Sequence, residues 1–144
     1  MENNKFNLNN NNIKSNNCNS TPVIPIITYN NVDRNKCTIL EENINKSGVY
    51  RLVNNLNGKS YIGYSTSLSN RFSNYYYLSS LTLQVKGSII ISRALLKYGY
   101  KNFSLDIIEY CERDVLMKRE QYYIKILNPE YNILKVDNNN LGSY

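Results

Sequence analysis

A chain of 144 residues with 17 Lys and Arg against 11 Asp and Glu, a net charge of +6, has room for one compact domain and suits an anionic partner, nucleic acid ahead of an acidic membrane surface. It holds no histidine, which rules out Ser-His-Asp and Cys-His nucleophilic catalysis and histidine-ligated zinc, so any chemistry must run on Tyr, Arg, Lys, carboxylates and a hard metal such as Mg2+. Cys18, Cys37 and Cys111 are scattered and make no CxxC pair, which speaks against a zinc site or a disulfide framework, and no apolar run approaches the ~20 residues of a membrane span.

Residues 1–47 read as a tail. The stretch Met1–Ser20 is Asn-rich, with no helical or strand period, so it buries too little apolar surface to offset the entropy of ordering and is expected to be disordered. Pro22–Tyr29 is apolar but broken by Pro25, and at most a short extended piece is expected there. No signal peptide or Arg-rich presequence is legible. Asn, Ile, Tyr and Lys make up nearly half the chain, and their AT-rich codons point to an AT-rich genome. The charge is about +1 over residues 1–47, about +6 over 48–135 and about −1 over 136–144, so the basicity belongs to the middle segment.

At Gly48 the texture changes. Gly48–Val53 is strand-like, Asn57-Gly58 is a hairpin turn signal, and Ser60–Tyr64 is the return strand. Leu68, Arg71, Phe72 and Tyr75 then recur at helical spacing after Ser65-Thr66-Ser67. A second helix follows, with Ser88 as cap, Ile90, Ile91, Ala94 and Leu95 as its apolar stripe and Gly99 at its end. Phe103–Ile108 reads as a third strand, and a third helix spans about Glu112 to Leu127 before Asn128-Pro129 stops it. The order β-β-α-α-β-α predicts an α+β fold, a small three-stranded antiparallel sheet flanked by helices over residues 48–135, with residues 136–144 as a short tail.

If Asn54 faces Lys59 across the turn, Tyr61 faces Leu52, and Tyr50 lies two residues further along the same face, so the two phenols become diagonal neighbours. Ordinary strand tyrosines would look the same. Arg71 sits within an apolar stripe, where a guanidinium either snorkels to water or meets a buried anion. Leu116, Glu120, Tyr123 and Leu127 share one face of the third helix, which turns a carboxylate toward the core. Such a group needs a cation, either Arg71 in a salt bridge or a metal ion.

These residues resemble the GIY-YIG nucleases. Gly48-Val49-Tyr50 and Tyr61-Ile62-Gly63 look like the paired motifs on successive hairpin strands, with eleven positions between their tyrosines, and Val49 stands where the usual residue is Ile. Arg71 stands ten residues after Tyr61, where the family has its arginine. Lys118–Ile124 resembles the helix that carries the family's metal-binding glutamate, and Asn128–Ile133 resembles the segment whose asparagine supports the site. The similarity is greatest to homing endonucleases encoded in fungal mitochondrial group I introns.

The resemblance implies hydrolysis of a phosphodiester bond in double-stranded DNA with one divalent ion, Mg2+ or Mn2+, held by Glu120. Tyr50 and Tyr61 would position the attacking water, with Tyr50 as the candidate to take its proton once nearby cations lower its pKa. Arg71 would bind phosphate oxygens, and Asn132 would orient the sheet end. Lys59, Tyr75 and Lys86 are candidate DNA contacts, although each lysine also suits a solvated surface, and Tyr75 stands where some homing relatives place a histidine. No obligate protein partner and no membrane are implied, and a mitochondrial location is expected. Homing relatives continue past a segment like Leu141-Gly142-Ser143 into DNA-recognition modules, so weak, salt-sensitive and poorly selective binding is expected of this chain. Two other readings remain open at this point: a non-catalytic DNA-binding remnant and an RNA-binding splicing helper.

Overall fold

The computed structural model describes residues 22–78 and 89–133. In chain order these form β1 (Ile27–Tyr29), α1 (Lys36–Glu42), β2 (Gly48–Asn54), β3 (Ser60–Ser65), α2 (Leu68–Tyr76), α3 (Ile89–Tyr98), β4 (Phe103–Tyr110), α4 (Leu116–Leu127) and α5 (Glu130–Ile133). A single 3-10 turn precedes β4 and another precedes α4.

The strands make one antiparallel sheet in the order β1-β4-β2-β3. It has four strands, not the three expected. The extra strand, β1, lies in Pro22–Tyr29, where the sequence predicts at most a short extended piece, and the reading of residues 22–47 as a tail is corrected because the segment packs on the domain. Tyr29, Val32 and Ile39 from this segment are buried in the main core, and Asn43 is fully enclosed. Its side chain accepts a hydrogen bond from the Tyr110 hydroxyl and donates to the Ile39 carbonyl. A handful of well-placed apolar side chains suffices here because β1 and α1 complete a core that already exists. Residues 1–21, 79–88 and 134–144, with Ser88, Lys86 and the expected C-terminal tail, lie outside the described residues.

The sheet is covered on both faces. Tyr50, Leu52 and Tyr61 of the hairpin and Phe103, Leu105 and Ile107 of β4 point to the face that packs with residues of α1, α2 and α3. Val49, Ile62 and Ile108 point to the other face and pack with Leu116 and Tyr123 of α4. The predicted helix stripes hold: Leu68, Phe72 and Tyr75 are buried on α2, and Ile91, Ala94 and Leu95 on α3. Asn128 ends α4 in the left-handed conformation at φ 48°, with Pro129 behind it.

Both motif glycines have a steric reason. Where β2 meets β4 the register shifts, with Val49 opposite Glu109 but Tyr50 opposite Ile107, so β4 bulges at Ile108. A Cβ on Gly48 would stand 2.3 Å from the Glu109 carbonyl oxygen, so the strands can approach this closely only without a side chain there. A Cβ on Gly63 would stand 2.6 Å from the Tyr50 hydroxyl.

Because Ile39 is completely enclosed between the added segment and the core, Ile39→Ala should destabilise the fold by about 2–4 kcal/mol in urea-unfolding experiments. A loss under about 0.5 kcal/mol, the scale of a surface substitution, would mean that residues 22–47 are not part of the cooperative unit.

Candidate active site

Hairpin register sets the first two groups. Leu52 pairs with Tyr61 and Tyr50 with Gly63, the arrangement expected from placing Asn54 opposite Lys59. The turn is held by Asn side chains: the Leu56 amide donates to Asn54 and the Lys59 amide to Asn57. The rings of Tyr50 and Tyr61 lie 6.4 Å apart between centroids. Because Gly63 has no side chain, the phenol of Tyr50 lies across β3 toward α2.

From α2, Phe72 meets the Tyr50 ring edge-on at 5.0 Å, and the hydroxyls of Tyr75 and Tyr50 share a hydrogen bond of 2.7 Å. The expected DNA contact at Tyr75 therefore gives way to a place inside the site. Its hydroxyl is buried with that of Tyr50, and its backbone carbonyl accepts a hydrogen bond from Tyr100. Sequence spacing had marked Tyr75 as part of a buried stripe; that signal outranks its analogy with a phosphate-binding histidine. The guanidinium of Arg71, one turn earlier and half-buried, lies against both phenol oxygens. It neither snorkels fully to water nor pairs with an acid.

Glu120 arrives from the other side. Its helix, α4, covers the face opposite the tyrosines, yet its carboxylate interacts electrostatically with Tyr61 and Arg71. Both facts fit because β3 is an edge strand, so a side chain on α4 can reach around it. The ion pairs among the described residues join Arg51 to Asp106 and Arg119 to Glu109, and none joins Glu120 to Arg71. The buried Glu120–Arg71 salt bridge, one of the two expectations, is thus absent. Glu120 is partly exposed at the margin of the α4 stripe, while Leu116 and Tyr123 on the same stripe are buried.

Asn132 does not enter this cluster. Its side-chain amide clamps the outer edge of β3, accepting from the Ile62 amide at 2.7 Å and donating to the Ile62 carbonyl at 2.8 Å. Next to it, Glu130 accepts from the Ser60 amide and the Tyr131 hydroxyl accepts from Asn54. Lys59 is exposed at the hairpin end. Among the described residues, no cluster of three or more Cys, Asp or Glu groups could hold a metal ion.

Burial sets the charge states. It raises the pKa of Tyr50, reinforced by Tyr61 and opposed by Arg71. It also raises that of Tyr61, reinforced by Tyr75 and Glu120, and that of Tyr75, reinforced by Tyr50. All three phenols are therefore neutral near pH 7, and the expected lowering of the Tyr50 pKa by a neighbouring cation is outweighed by its enclosure. Burial raises the Glu120 pKa as well, against the pull of Arg71. A single half-buried carboxylate without an ion-pair partner suits Mg2+, which keeps several waters and takes further oxygens from a phosphate.

A phenol with a raised pKa in the fold stabilises it fully below the unfolded value and loses that contribution as pH rises. Stability should therefore fall steeply above pH ~10, where unfolded tyrosines ionise. Urea midpoints measured from pH 8 to 11 check this, and a flat profile would mean that the phenols ionise as if exposed.

Comparison with known proteins gives the same frame. The family model for the GIY-YIG catalytic domain matches residues 46–132. A probable intron-encoded endonuclease, bI1, of Neurospora crassa is 29% identical over 133 residues, covering 86% of this chain and 29% of that protein. The intron-associated endonuclease 1 of Enterobacteria phage T4 is 33% identical over 89 residues, covering 60% of this chain and 35% of that protein. The chain thus spans about a third of the length of these relatives. Among solved structures, a mutant form of the catalytic domain of the intron endonuclease I-TevI matches at 31% identity with a TM-score of 0.50, over 64% of this chain and 97% of that one.

Proposed function

The chain belongs to the GIY-YIG catalytic-domain family, and on that premise we propose that it is a divalent-metal-dependent endonuclease that hydrolyses phosphodiester bonds in double-stranded DNA, of the intron-homing type. The observation that carries this reading is the cluster of phenols, with Tyr50 hydrogen-bonded to Tyr75 at 2.7 Å and its ring 6.4 Å from that of Tyr61, on which Arg71 from α2 and Glu120 from α4 act electrostatically. A cation beside hydroxyl groups suits a phosphate, and a carboxylate that makes no ion pair among the described residues suits a metal ion. The names of the relatives, with the AT-codon bias of the composition, support an organellar intron as the source.

In this mechanism Arg71 binds a non-bridging phosphate oxygen and gains strength as charge builds in the transition state. Glu120 holds Mg2+ or Mn2+, which when bound polarises the scissile phosphate and stabilises the leaving oxygen. Tyr61, the more exposed of the two hairpin phenols, orients the attacking water by a hydrogen bond; the fully enclosed Tyr50 holds Arg71 and Tyr75 in place. Water adds to phosphorus and gives up a proton to solvent, the ester P–O bond breaks, and the leaving oxygen takes up a proton from solvent. Asn132 acts at a distance by fixing the β3 edge next to Tyr61. Lys59 tracks the DNA backbone from the hairpin end.

The test is plasmid nicking with Mg2+, with EDTA, and with Glu120→Gln. The raised Glu120 pKa means that its ionised form costs the fold stability, a cost that appears as pH rises through the folded pKa. Glu120→Gln should therefore abolish Mg2+-dependent nicking while leaving Tm equal to or above that of the wild type at pH 7. Wild-type protein that binds duplex DNA but never nicks it would favour the non-catalytic remnant instead.

A further inference from the structure

We propose that residues 22–47 form a brace that sets α2, and with it Arg71 and Tyr75, against the β2–β3 hairpin, with the Tyr76 hydroxyl as its main fastening. As a statement about catalysis this rests on the nuclease reading above; as a statement about the site's geometry it does not. The family match begins at residue 46, so nearly all of the brace lies outside it.

Helix α2 lacks the local devices that fix a helix in place. It has nine residues, no side-chain cap at Ser67, no acid in its first turn and no base in its last. Isolated helices shorter than ~12–15 residues are marginal in water, so tertiary ties must decide where this one sits. The preceding segment supplies them at both ends. In the first turn, the Leu68 amide donates to the Lys46 carbonyl at 2.9 Å and the Ser69 hydroxyl to the Leu40 carbonyl at 2.7 Å. In the last turn, the Tyr76 hydroxyl donates to the Val32 carbonyl at 2.6 Å. Lys36 of α1 adds its ammonium 5.2 Å from the Tyr76 ring centre and 4.5 Å from that of Tyr77.

Arg71 and Tyr75 lie between these ties. Val32 and Ile39 of the brace line one apolar pocket together with Phe72, Tyr75 and Tyr76 of α2, so the two segments share a packing surface beside Tyr75. Releasing the last turn would let Tyr75 move, and its 2.7 Å hydrogen bond to Tyr50 with it. Tyr76 itself points away from that pair, toward Val32 and Tyr100, so it is a positioning residue that acts through Tyr75.

The experiment uses the full chain as wild type, Tyr76→Phe, and Tyr76→Phe with Ser69→Ala. The readouts are kcat and KM for plasmid DNA well below each variant's Tm, together with the ring resonances of Tyr50 and Tyr75 in 13C-tyrosine-labelled protein without DNA. The expected result is a kcat lower by about tenfold or more, since small displacements of catalytic groups cost that much, a KM within about twofold of wild type, and shifted resonances for both rings. Wild-type kcat with unmoved resonances, even with a lower Tm, would overturn the proposal. So would a raised KM at unchanged kcat, which would make the brace a DNA-binding surface. If the wild type does not nick DNA at all, the nuclease reading fails, and the ring resonances alone still decide whether the brace positions the phenols.

Discussion

The site depends on one close approach, the Tyr50 phenol passing over Gly63. In the hairpin these residues are cross-strand partners, and a Cβ at Gly63 would sit 2.6 Å from the Tyr50 hydroxyl and 3.0 Å from the Tyr61 ring. Only an absent side chain lets the phenol lie down across β3 and reach Tyr75 and Arg71 on α2. A slip of one residue in this hairpin would turn Tyr61 to the face opposite Tyr50, toward α4. The hairpin register is fixed by the Asn54–Lys59 turn, while the bulge next to Gly48 belongs to the pairing of β2 with β4.

A second constraint is that β3 is a sheet edge. An open edge offers unpaired backbone groups, and α5 covers part of it with side chains instead of a strand, through Glu130 on Ser60 and Asn132 on Ile62. Leaving the edge without another strand is also what allows Glu120, carried by a helix on the far face, to act on Tyr61. A fifth strand paired to β3 would separate the carboxylate from the phenols. Asn132 occupies the backbone positions of Ile62, and on the proposed reading it supports the site from there.

The hairpin register was legible in the sequence because Asn57-Gly58 fixes the turn and a strand's side chains alternate. The helices α2, α3 and α4 were legible because each carries apolar residues at helical spacing, of which α4 buries Leu116 and Tyr123. Glu120 could be singled out because a carboxylate on an otherwise apolar stripe needs an explanation. What escaped was structure with little periodic signal. β1 has three residues, and α1 buries only Ile39 completely. Beside an Asn-rich stretch they look like tail, and their burial is imposed by β4 and α2, which lie at least 60 and 26 residues further along the chain. The Tyr75–Tyr50 bond depends on the crossing of α2 over the hairpin, which no local pattern encodes.

A chain without histidine has to handle protons with groups far from neutrality, and the electrostatics here show what that entails. Enclosure keeps Tyr50, Tyr61 and Tyr75 protonated, so in the resting state they donate hydrogen bonds and do not accept protons. Arg71 is a permanent cation held among neutral hydroxyls, and Glu120 is an acid held where burial opposes its charge. Neither charge meets its opposite within ion-pair distance among the described residues. Burial opposes the charge of Glu120, and the attraction of Arg71 offsets part of that opposition. On the proposed reading, a phosphate at Arg71 and a metal ion at Glu120 bring opposite charges side by side and so reinforce each other's binding.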